Sequence, residues 1–175
     1  IMDIANRYGI PVVEDAAEGM GSRYNGQVLG TFGRYGVLSF NGNKMITTSG
    51  GGALICRSAE DANEVMWYAT QARDAYPYYQ HTEIGYNYRM PNINAALGCA
   101  QLENLDKFVE SKRQVAAEYA EFFKNIDDID FFTEPENCYS NYWLNVVILK
   151  DKEAQLEFLQ QTNDNGVMTR PIWEL

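Results

Sequence analysis

The spacing of apolar residues changes several times along the chain, and each change marks an element. Ile1, Ile4, Ala5 and Tyr8 fall on one helical face, and Gly9 is suited to end that helix. Ile10 to Val13 (IPVV) is a short apolar run, the pattern of a buried strand with Pro11 near its start. Glu14, Asp15 and Glu18 follow at its carboxyl end. A turn-rich passage from Gly21 to Gly33 leads to YGVLSF (Tyr35 to Phe40) and GALIC (Gly52 to Cys56), both predicted strands. Ser58 and Asp61 have the spacing of a capping box, which opens a helix through Ala72. Asp74 to Asn92 is aromatic, polar and irregular, unusual for a plain connector. Asn92 is expected to cap a long helix to about Phe123, with Leu97, Leu102, Leu105, Phe108 and Val109 at apolar spacing.

After Asn125 the character changes. Asp127 to Asn137 is acidic and turn-like, YWLNVVIL (Tyr142 to Leu149) reads as a strand, and Glu153 to Gln161 as an amphipathic helix. The expected domain boundary therefore lies near Asn125, with residues 1–125 in one domain and 126–175 in part of a second. A helix–strand order with acids at a strand's carboxyl end indicates an α/β fold, whose ligands bind at those ends.

Composition narrows this picture. With 46% of its 175 residues hydrophobic, the chain can bury a core and is unlike a disordered one. A net charge of −10 argues against a nucleic-acid partner held through phosphates, but leaves room for a phosphorylated ligand in a local pocket. Cys56, Cys99 and Cys138 are odd in number and lack CxxC spacing, so free thiols in a reducing, cytoplasmic setting are expected. His81 is the single histidine, which excludes a histidine-rich metal site within this chain. No apolar run approaches a membrane span and no signal-peptide pattern opens the sequence, so no membrane partner is expected. Ile1 already lies in a predicted helix and the tail GVMTRPIWEL stops without a clear ending. The chain is thus expected to be an internal piece of a larger protein.

The candidate chemistry centres on SFNGNKMITTSGGG, Ser39 to Gly52. Lys44 could be a solvated loop lysine. A nucleotide-binding P-loop needs Gly-Lys followed by Ser or Thr, whereas Gly42-Asn43-Lys44-Met45 separates the pair and lacks the hydroxyl. A third reading is an amine that captures a carbonyl. Pyridoxal phosphate chemistry would also need a carboxylate for the pyridine nitrogen and donors for the phosphate. Asp15 could be that carboxylate, although alone it reads as a helix N-cap. Ser39 could supply a hydroxyl, although alone it is a strand serine.

VVEDAAEGMGSRYNGQVLGTFGRYGVLSFNGNKMITTSGGGALI, followed by GYNYRMPNINAALGCAQL (Gly85 to Leu102), resembles the DegT/StrS-type nucleotide-sugar aminotransferases. The resemblance runs from Val12 to at least Arg113. It implies a pyridoxal-phosphate enzyme of fold type I, the aspartate aminotransferase fold. Here that fold would comprise a large domain truncated at its N-terminus and part of a small α/β C-terminal domain. It also implies residue roles. Lys44 would be the Schiff-base lysine and proton carrier, and Asp15 the partner of the pyridine nitrogen. Ala17 would pack on the ring face, and Glu18, where Gln is commoner, would lie near the phenolic oxygen and the sugar. Ser39 would bind the phosphate. Asn87 would reach the phosphate of a second subunit, implying a homodimer with shared sites.

Arg89 reads equally as a structural ion-pair residue or as a holder of the substrate's diphosphate. His81 reads as structural or as lining the sugar pocket, and Tyr76 to Tyr79 as surface packing or a base-stacking platform. SFNGNK with ITTSGGG, and TRPIW near the end, are most similar to the subgroup acting on UDP-linked 4-keto-6-deoxy-N-acetylhexosamines. Glutamate would then be the amino donor and the 4-keto carbon the acceptor. Lysine rather than histidine at position 44 favours transamination over the related dehydration. Other readings are an aminotransferase for another keto nucleotide sugar, an incomplete and inactive piece, or a regulatory protein that keeps only the fold.

Overall fold

A computed structural model describes residues 1–173; Glu174 and Leu175, the end of the expected second domain, lie outside the described residues. The elements are α1 (Met2–Arg7), β1 (Val13–Asp15), β2 (Arg23–Tyr24), β3 (Gln27–Val28), β4 (Tyr35–Ser39), β5 (Gly52–Cys56), α2 (Ala59–Ala69), α3 (Asn92–Leu102), α4 (Leu105–Phe123), β6 (Ile129–Phe131), β7 (Cys138–Tyr139), β8 (Val147–Leu149) and α5 (Lys152–Asp164).

Several boundaries differ from the sequence expectation, each for a local reason. The first strand is Val13–Asp15 rather than Ile10 to Val13, because Ile10 N still donates to Ala5 O at 2.9 Å and Pro11 has no N–H to give. The turn-rich passage contains the β2–β3 hairpin, turned by Asn25 and Gly26, both at positive φ (48° and 79°) as a two-residue hairpin loop demands. Helix α2 ends at Ala69, since Gln71 and Ala72 are left-handed. Its opening is as expected, with Ser58 accepting from Asp61 N. Pro91, not Asn92, is the extended cap of α3, and its carbonyl accepts from Ala95 N. The expected long helix is divided at Glu103–Asn104, where Asn104 N donates to Gln101 O and its side-chain amide to Ala100 O. The strand expected from Tyr142 is confined to Val147–Leu149, because Tyr142 itself is left-handed (φ 44°).

The residues group into two compact units. The first comprises Ile1–Arg113 and Pro135–Trp143. Its main sheet has the order β1-β4-β5, with β4 parallel to β1 and antiparallel to β5. A second small sheet has the order β3-β2-β7. Met20, Phe40 and Ile46 form the buried cluster, packed by Leu38, Met90 and Leu105. The second unit comprises Gln114–Glu134 and the chain from Leu144 onward. In it β6 pairs antiparallel with β8, and α5 follows with Asp151 accepting from Ala154 N at 2.8 Å.

Candidate active site

Because β1 and β4 are parallel, their carboxyl ends meet at one edge of the sheet. Asp15 ends β1 and pairs with Val37; Ser39 lies two residues further along β4, so both side chains belong to the same sheet face. Asp15 is exposed, and its Oδ1 accepts from Ala17 N at 3.1 Å. Ser39 Oγ accepts from Asn41 N at 3.4 Å.

Glu14 occupies the opposite face and organises the loop behind the edge. Its carboxylate accepts from Gly30 N (2.9 Å), Phe32 N (2.5 Å) and Gly33 N (2.6 Å). Across the ladder from Glu14 stands Gly36, where a Cβ would overlap the Gly30 carbonyl oxygen. Glycine is required there by close approach of backbone.

The loop after β4 turns at Asn41, whose carbonyl accepts from Lys44 N at 3.1 Å. Beyond Lys44 the chain dives inward. Ile46 and Thr48 are fully buried, Thr47 Oγ1 donates to Phe40 O, and Thr48 Oγ1 donates to Gly50 O. Helix α3 grips this segment, with Gln101 Oε1 accepting from Thr47 N (2.9 Å) and Asn94 Nδ2 donating to Thr48 O (2.6 Å). The threonines thus satisfy the backbone that anchors the lysine loop.

Lys44 Nζ forms an ion pair with Glu18 Oε1; the lysine side chain is 14% exposed and the glutamate 47%. The same nitrogen lies 4.9 Å from the centre of the Trp143 ring. Trp143 Nε1 donates to Asn43 O at 2.5 Å, on the residue just before Lys44. Asn141 is buried, and its side-chain amide donates to Glu18 O (2.7 Å) and Met20 O (2.9 Å). Its Oδ1 accepts from Trp143 N at 2.9 Å.

The structure therefore brings Asp15, Ala17, Glu18, Ser39 and Lys44 to one edge. His81, Asn87 and Arg89 have contacts elsewhere, around the end of α2. His81 Nδ1 donates to Gln71 O at 2.8 Å, Asn87 bridges Thr70, and Arg89 N donates to Ala69 O. Sequence reasoning gave no role to Glu14, Asn141 or Trp143. The acid directly after the apolar run Ile10 to Val13 was the one signal for Glu14. Asn141 and Trp143 are too distant in sequence for any spacing rule to connect them with Glu18 or Lys44.

As a donor set, the edge offers an exposed carboxylate (Asp15), a hydroxyl (Ser39) and an amine (Lys44). Those groups fit a ring nitrogen, a phosphate and an aldehyde respectively, the three polar features of pyridoxal phosphate. Among the described residues no cluster of His, Cys, Asp and Glu is arranged to hold a metal ion, and no helix is long and apolar enough to cross a membrane.

The profile of the DegT/DnrJ/EryC1/StrS aminotransferase family matches residues 1–175. EpsN of Bacillus subtilis (strain 168), which carries the name of a pyridoxal phosphate-dependent aminotransferase, is 41% identical over 174 residues, 99% of this chain and 45% of that protein. The GDP-perosamine synthase of Escherichia coli O157:H7 is 36% identical over 174 residues, 99% of this chain and 47% of its own. The UDP-4-amino-4,6-dideoxy-N-acetyl-beta-L-altrosamine transaminase of Campylobacter jejuni (strain 81-176) is 32% identical over 128 residues, 71% of this chain and 34% of its own. Among solved structures, the aminotransferase TlmJ from Streptoalloteichus hindustanus matches with a TM-score of 0.92 at 27% identity, over 99% of this chain and 47% of that one. This likeness bears out the expected α/β fold of the pyridoxal-phosphate transferases. The chain spans about half the length of the curated relatives it matches at 41% and 36% identity.

Proposed function

The chain belongs to the DegT/DnrJ/EryC1/StrS aminotransferase family, and from that premise we propose that its protein transfers an amino group from glutamate to the 4-keto carbon of a UDP-linked 4-keto-6-deoxy-N-acetylhexosamine. Pyridoxal phosphate, when bound, supplies an aldehyde that carries the amino group and a ring that accepts an electron pair. Lys44 supplies the amine that captures the cofactor and afterwards moves a proton. Asp15 holds a proton on the pyridine nitrogen, Ser39 binds the phosphate, and the small Ala17 side chain lets the ring lie close. Glu18 partners the Lys44 amine. Asn87 serves the phosphate of a second copy in a homodimer, while His81 and Arg89 face the sugar nucleotide. The protein works in the cytoplasm, the reducing setting expected from its cysteines.

The observation that carries this reading is the meeting of Asp15, Ser39 and a largely covered Lys44 at the carboxyl edge of parallel strands. The UDP-linked acceptor is supported by the SFNGNK and TRPIW segments and by the likeness to the Campylobacter jejuni transaminase. A second reading, with a GDP-linked 4-keto sugar, is favoured by the longer and higher match to the Escherichia coli GDP-perosamine synthase.

The test is borohydride reduction of the full-length protein with pyridoxal phosphate, followed by mass spectrometry. The cofactor mass is expected on Lys44, and Lys44→Ala should lower glutamate-dependent amination by about 10³-fold or more. A mass on another residue, or none, removes Lys44 from its role. Parallel assays with UDP- and GDP-linked 4-keto sugars decide between the two acceptors.

A further inference from the structure

An amino-transfer cycle detaches the lysine from the cofactor and later brings it back. Between these events a free amine on four rotatable bonds must be kept near its target, or each return costs a conformational search. Glu18 alone is a weak tether, because its side chain is 47% exposed and exposed ion pairs restrain little.

Resting on the assignment of Lys44 as the capturing amine, we propose that Trp143 is a positioning residue that gives this amine its resting station. Two separate contacts converge on one residue pair. The ring centre stands 4.9 Å from Nζ, within the range where a cation is attracted to an indole. The indole N–H fixes the Asn43 carbonyl, and with it the peptide that leads into Lys44. The ring thus restrains the tip of the side chain while the N–H restrains its root.

The supports behind Trp143 fit the same purpose. Tyr142 is left-handed at φ 44°, a conformation that bulky residues adopt only when their surroundings impose it. Asn141 imposes it by accepting from Trp143 N while its amide holds Glu18 O and Met20 O. One short turn therefore fixes both the backbone of Glu18 and the ring that stands beside the amine. An indole also suits this place better than a second carboxylate would. It attracts the amine through its face without adding a hydrogen bond that must be broken when the nitrogen leaves.

Competitive labelling of lysines in the cofactor-free full-length protein, read by mass spectrometry, tests this without any turnover. The ring covers Nζ, so Lys44 should react more slowly than the exposed Lys124 and Lys150. Trp143→Leu should raise Lys44 labelling about fivefold, the factor carried by a cation–ring contact, and leave Lys124 and Lys150 unchanged. Trp143→Phe keeps a ring but loses the N–H, and should raise it about twofold. Unchanged Lys44 labelling in the leucine variant overturns the proposal. If that variant unfolds, seen as equal gains at every lysine, the phenylalanine variant decides, and no change there overturns it. Borohydride capture of cofactor should be slowed in both variants while still landing on Lys44. Capture elsewhere in the wild type defeats the site assignment itself, and the proposal with it.

Discussion

Between Val12 and Gly52, backbone groups that leave the sheet find partners within their own compact unit, whereas between Asp74 and Arg89 apolar side chains stand largely in solvent. In the first region Glu14 takes three backbone N–H groups, Thr47 and Thr48 bond their own loop, and Ile46 is 1% exposed. In the second, Tyr79 is 81% exposed, Ile84 80% and Tyr88 76%. Order there comes from aromatic pairs, Tyr76 on Tyr78 and Tyr86 on Tyr88, both nearly parallel. Asp74 Oδ2 is buried without a hydrogen-bond partner among the described residues. The β1–β4 edge is thus self-supporting. The aromatic segment has the exposed apolar character of an interaction surface, which suits the proposed second subunit.

The strongest way to break this contrast is to remove Glu14. Glu14→Ala leaves three backbone donors of the Gly30–Gly33 turn without their charged acceptor, each such bond contributing about 1.5–3 kcal/mol. Chemical unfolding should show a loss of about 3–5 kcal/mol, allowing for water reaching part of the turn. A loss below about 1 kcal/mol, the scale of an ordinary surface change, would show that the loop does not depend on this carboxylate.

The same contrast explains what could be read from the chain. Strands β4 and β5 and the capped start of α2 were legible because short-range pattern specifies them, whereas the roles proposed for Asp15, Ser39 and Lys44 came from the family resemblance and not from local pattern. Ladder pairing then placed Asp15 and Ser39 on one face, as alternation demands. The shift of β1, the break at Asn104 and the cap at Pro91 were not legible, since each depends on which carbonyl wins a particular donor. Asn141 and Trp143 were invisible for a different reason. Their roles exist only once folding has brought residues about a hundred positions apart into contact.

A smaller effect sharpens the junction between the regions, where α2 departs. The carboxyl of Asp61 is held below its ordinary range by hydrogen bonds from Arg34, then Tyr35 and Ser58. A depressed folded value stabilises the protein above the unfolded value of about 3.9. That contribution fades as pH falls through the folded value. Asp61→Asn should therefore lower the melting temperature slightly at pH 7, with the gap to wild type closing below about pH 4. A gap that persists unchanged into acid would mean that the carboxylate's charge is not what the helix start uses.

The smallest expected effect on stability is also the most direct test of the comparison. Ile84 and Tyr88 are largely exposed, so replacing both with serine removes little buried area from this chain. Melts of dilute protein should change by no more than about 0.5 kcal/mol per substitution. If the exposed segment meets a second copy, the same double substitution removes apolar area from that interface, and sedimentation of the full-length protein should show self-association weakened by about tenfold or more. The two readouts must move apart for the contrast to hold. A stability loss near that of Glu14→Ala would place these side chains in a core instead. Unchanged association would mean that the aromatic surface does not meet a second copy.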